Sequence, residues 1–249
     1  MKRIITLQDI SCVGSCSITV ALPIISAMGV ECGILPTAVL STHTMFKTFT
    51  CKDLSDQIDP ISDAWEKEGI DFDGIYTGFA ASEEQIRQIF RFIETFKSAG
   101  TFLLVDPAMG DDGVKYDMFT PNLLKEMKKL AKRADIITPN LTELCLLTNA
   151  DFHYIRKIPD TKKLLDTVQK LALEFCKEGP THVIVTGIHF TDETGIMQMG
   201  NLYVSETALS LSAFPYIGKS YSGTGDLFAS CLAAGVAEKI KIPQIIQMT

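Results

Sequence analysis

The stretch from Gly74 to Val105, GIYTGFAASEEQIRQIFRFIETFKSAGTFLLV, decides the fold. Gly74 to Thr77 is a short β-branched and aromatic run, and Thr101 to Val105 is another. Between them Ile86, Ile89, Phe90, Ile93 and Phe96 recur at the three- and four-residue steps of an amphipathic helix. Two strands joined through a helix pair in parallel, because a crossover returns the chain to the same end of the sheet. Outward from this unit the rhythm repeats. Arg3 to Leu7 reads as a first strand and Ser17 to Met28 as a helix ended by Gly29, a residue that accepts the left-handed cap conformation. Gly33 to Leu40, Asp135 to Thr138 and His182 to Thr186 read as further strands, and Leu164, Leu165, Val168, Leu171, Ala172 and Phe175 as another helical stripe. Around Ile196 to Val204 two short runs joined by Met199-Gly200-Asn201 suggest a hairpin, and so a small antiparallel edge. The expectation is an α/β fold with a mainly parallel central sheet flanked by helices.

Composition narrows the function. Apolar residues make up 46% and charged residues 21%, which permits a sizeable core and excludes a largely disordered chain. Lys and Arg total 23 against 30 Asp and Glu, a net charge of −7, so no nucleic acid or anionic membrane partner is expected, and an anionic ligand would need a local site. The apolar run from Ile18 to Leu35 is broken by Pro23 and Glu31 and reads as a buried helix followed by a strand rather than a membrane span. Seven scattered cysteines and no visible export signal point to reduced thiols in a cytoplasm. The histidines His43, His153, His182 and His189 do not cluster and no cysteine pair has ligand spacing, so a structural zinc is not expected. Lys128-Lys129 and Lys132-Arg133 are explained by a solvated helix face.

Ligands of an open parallel sheet bind at the carboxyl ends of its strands, so the polar residues there matter most. They include Gln8-Asp9, Ser41-Thr42-His43-Thr44, Gly78, Asp106 to Asp111, Thr138 to Glu143 and Thr186-Gly187. The sharpest feature is Ser222-Gly223-Thr224-Gly225-Asp226, a glycine-rich turn entering an apolar helix. Its curled backbone and helix N-terminus make an anion hole from Gly223, Thr224 and Gly225. Asp226 could then accept a proton from an attacking alcohol while those amides hold a phosphoryl group. The same carboxylate could equally be a first-turn residue that complements the helix dipole. No Gly-x4-Gly-Lys-Ser/Thr segment exists, which excludes a P-loop. Too few residues follow Gly225 to complete a dinucleotide-binding unit, which makes a Rossmann oxidoreductase a poor fit.

Taken together, Gln8-Asp9 with Gly14, Ser41 to Thr44, Val105 to Asp111, Thr138 to Leu144 and Gly223 to Asp226 resemble, in order and spacing, the pyridoxal kinases of the ribokinase superfamily. The resemblance runs from the first strand to the end of the chain. It implies a ribokinase-like three-layer fold, a single kinase domain over residues 1–249, and phosphorylation by MgATP of the 5′ hydroxymethyl oxygen of pyridoxal, pyridoxine or pyridoxamine in vitamin B6 salvage. By the same resemblance Asp226 is the general base. Asp106, Asp111, Thr138, Asn140, Glu143, Thr186 and Gly187 fall in ATP-binding positions, with Asp106, Asn140 and Glu143 handling Mg²⁺ through water. Asp9, Ser11, His43, Thr44, Met45, Gly78 and Phe79 line the vitamer pocket together with Asp226. The family also implies a homodimer, with the run near Gly33 to Leu40 able to supply an edge, and leaves room for a monovalent cation.

Each implied role has a plainer competitor. Asn140 and Glu143 could be only a helix start with a first-turn acid, Asp106-Pro107 an ordinary turn, and His43 a satisfied structural histidine. The sequence departs from the family where bacterial members often carry serine in place of Asp9. Lys239 to Thr249 leaves little length for the further C-terminal helix that members usually add. Hydroxymethylpyrimidine kinase of thiamin synthesis, with the same fold and chemistry, is the nearest alternative function. A noncatalytic vitamer- or nucleotide-binding protein is an alternative of another class.

Overall fold

A computed structural model describes residues 1–219 and 221–249. In chain order the elements are β1 (Arg3–Ser11), α1 (Ile18–Ala27), β2 (Glu31–Leu40), β3 (Cys51–Asp53), α2 (Ser55–Lys67), β4 (Gly74–Thr77), α3 (Glu83–Phe96) and β5 (Phe102–Val105). They continue with β6 (Gly110–Asp111), β7 (Val114–Lys115), α4 (Pro121–Arg133), β8 (Ile136–Ile137), α5 (Leu141–Thr148), α6 (Phe152–Arg156), α7 (Thr161–Cys176), β9 (His182–Thr191), β10 (Met197–Val204) and β11 (Leu209–Pro215). The chain closes with α8 (Thr224–Ala237) and α9 (Ile242–Met248). These elements pack as two compact units, residues 1–106 with 221–249, and residues 107–220.

In the first unit the strand order is β5-β4-β1-β2-β3. β1 pairs in parallel with β2 and β4, and β4 with β5, whereas the short β3 runs antiparallel to residues 38–40 of β2. The central strands are buried on both faces, with Ile4, Ile5, Ile75, Leu103, Leu104 and Val105 fully inaccessible. That explains their unbroken apolar runs where a one-sided sheet would alternate. The helix after β4 begins where Ser82 accepts a hydrogen bond from the Gln85 N–H, and it buries Ile86, Ile89, Phe92, Ile93 and Phe96. The helix expected from Ser17 is α1, and Gly29 behind it takes φ +83°.

In the second unit β8 and β9 are parallel, and β9, β10 and β11 form an antiparallel meander. The mainly parallel α/β fold with a small antiparallel edge is therefore found, but one detail of the edge is corrected. Met199-Gly200-Asn201 does not turn; it lies inside the continuous strand β10. The turn sits earlier, where the Asp192 carboxylate accepts hydrogen bonds from the Thr194 and Ile196 N–H groups and Gly195 takes φ +84°. Gly200 marks a register shift and a close approach instead, since a Cβ there would sit 3.0 Å from both Leu211 and Phe190. The strand from His182 also runs on to Thr191, beyond the expected Thr186. Among the described residues no helix is long and apolar enough to cross a membrane.

Candidate active site

In the first unit the site is built where β1 and the start of α8 meet. Gly223 is the N-cap of α8 in a left-handed conformation, φ +80°, and a Cβ on it would lie 2.1 Å from the Ser15 carbonyl oxygen. Only glycine lets the helix begin against that backbone. Among the described residues no side chain caps the helix, so the N–H groups of its first turn are open to a ligand or solvent. Asp226 is the third residue of α8 and is half-buried. Burial pushes its carboxyl pKa up, the Ser17 N–H beside it pulls the other way, and the Asp9 carboxylate adds to the rise. A desolvated carboxylate with a raised pKa accepts a proton more readily than a solvated one.

Asp9 is itself buried, with 6% of its surface exposed. Its Oδ1 accepts a hydrogen bond from Ser17 Oγ at 2.7 Å and its Oδ2 one from Ser11 Oγ at 3.1 Å. Ser17 holds this position at φ +51°, an uncommon conformation for a residue with a side chain. Its hydroxyl therefore serves Asp9 and not its own helix, although a serine before an apolar helix reads as an N-cap. Ser17 was missed by the sequence reading for that reason, and so was Cys16, whose thiol is pushed up mainly by burial, with both carboxylates adding to the rise.

The other pocket residues are placed in the same unit. The His43 ring lies over Gly14, where a Cβ would be 2.1 Å from its Cδ2, and it meets Phe46 edge-on at 4.8 Å. Its Nδ1 accepts from the Met45 N–H at 3.3 Å. Thr44 and Met45 are exposed on that loop, away from the Asp9 cluster's hydrogen bonds. Gly78 is buried against the Gln8 side chain, and Phe79 beside it is half-buried. Asp106 follows β5, donating its N–H to the Thr77 carbonyl at 2.8 Å, and its Oδ2 is 3.9 Å from where a Cβ on Gly225 would stand.

The second unit assembles most of the expected nucleotide residues. Asn140 caps α5: its Oδ1 accepts from the Glu143 N–H at 3.0 Å, and its own N–H donates to Glu143 Oε2 at 2.8 Å. Glu143, buried at 4% exposure, also accepts from the Met109 N–H at 3.0 Å, and Asn140 Nδ2 donates to the Gly110 carbonyl at 2.8 Å. The plainer reading of this pair as a helix start is thus realised, and it also ties the Met109-Gly110 backbone to α5. The Asp112-Gly113 turn, with φ +48° and +81°, joins β6 to β7 and is held by Gly113 N–H donating to Thr142 Oγ1 at 2.9 Å. Asp111 sits on this hairpin with its carboxyl pKa raised by partial burial, against the pull of His189 and Arg156. Thr138 is buried, and its hydroxyl has no hydrogen-bond partner among the described residues. Beside it, the Thr186 N–H donates to the Pro139 carbonyl at 2.9 Å, and the Gly187 N–H to Asn201 Oδ1 at 3.2 Å. No cluster of three or more His, Cys, Asp or Glu side chains suited to a metal occurs among the described residues.

A family profile of phosphomethylpyrimidine kinases matches residues 22–249. The chain belongs to the phosphomethylpyrimidine kinase family. Within that kinase family it is similar to a Schizosaccharomyces pombe protein classed as a pyridoxal kinase, 28% identical over 216 residues that span 84% of this chain and 60% of that protein. The chain therefore spans about three fifths of that relative's length. A Bacteroides thetaiotaomicron protein classed with the phosphomethylpyrimidine kinases and crystallised with pyridoxal is 34% identical at a TM-score of 0.86, covering 98% of this chain and 83% of that one. The pyridoxal kinase from Lactobacillus plantarum is 28% identical at a TM-score of 0.84, covering 100% of this chain and 84% of that one. The resemblance to ribokinase-superfamily pyridoxal kinases is borne out by these relatives.

Proposed function

We propose that the chain transfers the γ-phosphoryl group of ATP to the 5′ hydroxymethyl oxygen of pyridoxal, pyridoxine or pyridoxamine, supplying pyridoxal phosphate in vitamin B6 salvage. The observation that carries this reading is Asp226, a desolvated carboxylate three residues into a glycine-capped helix, beside the buried Asp9, Ser11 and Ser17 group. Phosphoryl transfer asks little covalent chemistry of a protein and much positioning and charge stabilisation. Asp226 takes the hydroxymethyl proton, and the N–H groups of Gly223, Thr224 and Gly225 stabilise the phosphoryl oxygens. Asp9, Ser11, His43, Thr44, Met45, Gly78 and Phe79 shape the vitamer pocket. The relative crystallised with pyridoxal supports that choice of substrate.

Asp111, Thr138, Asn140, Glu143, Thr186 and Gly187, all in the second unit, hold the nucleotide. Both Glu143 oxygens already accept backbone N–H groups, so the donor set fits Mg²⁺ held through water and phosphate oxygens and not a caged ion. When bound, that ion neutralises phosphate charge. Asn140 and Glu143 would orient its waters. A reducing cytoplasm suits seven cysteines that are all free. A homodimer is supported by β2, whose outer edge is covered by β3 at residues 38–40 alone.

The reading is tested by assaying the purified chain with MgATP against each B6 vitamer and against hydroxymethylpyrimidine. The vitamers should give the higher kcat/KM. Turnover of the pyrimidine with negligible transfer to every vitamer would move the assignment to the thiamin enzyme. Ligand binding without any transfer would make the chain a binding protein. Light scattering should give a dimer, and a monomer at assay concentration would end that part of the proposal.

A further inference from the structure

The segment Gly14-Ser15-Cys16-Ser17, between β1 and α1, ends on a residue whose identity and conformation disagree. Ser17 takes φ +51° and ψ −131°, the mirror image of extended backbone, which glycine enters freely and which strains any residue with a Cβ. The start of α1 does not draw on its side chain. The Ser17 carbonyl accepts from the Val20 and Ala21 N–H groups at 3.0 and 2.9 Å, and Thr19 Oγ1 closes the loop by donating to the Cys16 carbonyl at 2.7 Å. Glycine would serve that backbone with less strain. What serine adds is a hydroxyl, which donates to Asp9 Oδ1 at 2.7 Å where both residues are buried.

The same residue reaches the Asp226 carboxylate through its backbone. The Ser17 N–H donates to that carboxylate, and two residues earlier the Ser15 carbonyl oxygen lies 2.1 Å from where a Cβ on Gly223 would stand. The loop therefore runs along the first turn of α8, and Ser17 joins Asp9 on β1 to Asp226 on α8. Tethering the hydroxyl restricts rotation about the Ser17 backbone, and with it the direction of the N–H. We propose that Ser17 is a positioning residue: its hydroxyl, held by Asp9, keeps the strained backbone that aims its N–H at the Asp226 carboxylate, and so sets where the general base stands. The inference rests on the reading of Asp226 as that base. Strained backbone persists only where its surroundings over-determine it, and the buried bond to Asp9 is such a surrounding. Misplacing a reacting group by an ångström can cost about a hundredfold in rate, so a serine that never touches the transferred phosphoryl group can still govern turnover.

Two variants separate the tether from the strain. Ser17→Gly keeps the N–H, takes the backbone conformation freely and loses the tether, whereas Ser17→Ala loses the tether and keeps the strain. Ser17→Gly should lower kcat for pyridoxal about tenfold or more while KM for ATP and pyridoxal changes less than about threefold. In an Asp226→Asn background the same substitution should lower the residual rate less than about twofold, because the group that Ser17 aims is already gone. Ser17→Gly should melt above Ser17→Ala, and its amide at residue 17 should lose about tenfold or more of its hydrogen-exchange protection relative to the parent. A kcat within about twofold of the parent would overturn the proposal, as would a full tenfold loss that persists in the Asp226→Asn background, where Ser17 would be shaping the pocket alone. So would unchanged exchange protection in Ser17→Gly, or an alanine variant that melts above the glycine one. A parent chain that transfers no phosphate would sink the kinase reading, yet the melting order and the exchange rates would still decide whether the hydroxyl locks the loop.

Discussion

Asp226→Asn keeps the shape and hydrogen-bonding reach of the side chain while removing its capacity to accept a proton, so it separates catalysis from helix capping. A positioned general base contributes about 10²- to 10⁴-fold in rate, and kcat with pyridoxal should fall by that much while KM stays within a few-fold. Stability should move the other way. A first-turn charge complementing a helix dipole is worth only about 0.3–1 kcal/mol. Against it stands the burial that raises the Asp226 pKa, reinforced by the Asp9 carboxylate and only partly offset by the Ser17 N–H. A carboxyl raised in the folded state supports the fold fully below its unfolded value of about 3.9, and that support is lost as pH rises through the folded pKa. At pH 7 the ionised Asp226 is therefore a net burden, which asparagine lifts. The variant should melt at the parent's temperature or above it at pH 7, with the difference shrinking toward pH 4. Coupled ADP release at saturating substrates and thermal melts across pH measure both halves. A folded Asn variant that turns over pyridoxal within a few-fold of the parent would make Asp226 a structural cap and remove it from the mechanism.

Gly223→Ala should lose activity and about 1–2 kcal/mol or more of stability by thermal melt, because φ +80° is strained for alanine and its Cβ would strike the Ser15 carbonyl. Ser17→Ala should remove the hydroxyl that donates to the buried Asp9 Oδ1 and cost about 1.5–3 kcal/mol in denaturant unfolding, with a loss of turnover alongside. Glu143→Gln should destabilise by about 1–3 kcal/mol even without nucleotide, because the Met109 and Asn140 N–H groups each use a different oxygen and the amide NH2 that replaces one of them faces a donor. An unchanged apo melting temperature for Glu143→Gln would show that the capping bonds carry little weight.

Much of the fold could be read from periodicity because the strands of the first unit are short, apolar and bounded by polar residues. Gly74 to Thr77 coincides with β4, and Gly29 takes the left-handed conformation its position requires. The Asn140 and Glu143 spacing gave a helix start, and the capping box found there is the local consequence of that spacing. What escaped the sequence depends on contacts between distant residues. Ser17 lends its hydroxyl to Asp9 and not to its own helix, which no local rule anticipates. Gly200 was misread as a turn because glycine signals both turns and close approaches, and only the Leu211 and Phe190 side chains across the sheet distinguish them. The Asp112-Gly113 hairpin turn carries the Asp-Gly dipeptide that favours two positive φ angles. Asp106 beside Gly225 is set by β5 ending near the start of α8, and not by the short Asp106-Pro107 motif.

The most direct measurement is ³¹P NMR of the purified chain incubated with MgATP and pyridoxal. A phosphomonoester resonance coupled to the 5′ methylene protons should grow as the ATP γ-phosphate declines, and the same sample made with Asp226→Asn should show almost none. ATP hydrolysed to inorganic phosphate alone, or pyridoxal recovered unchanged from a folded and nucleotide-bound protein, would contradict the assignment.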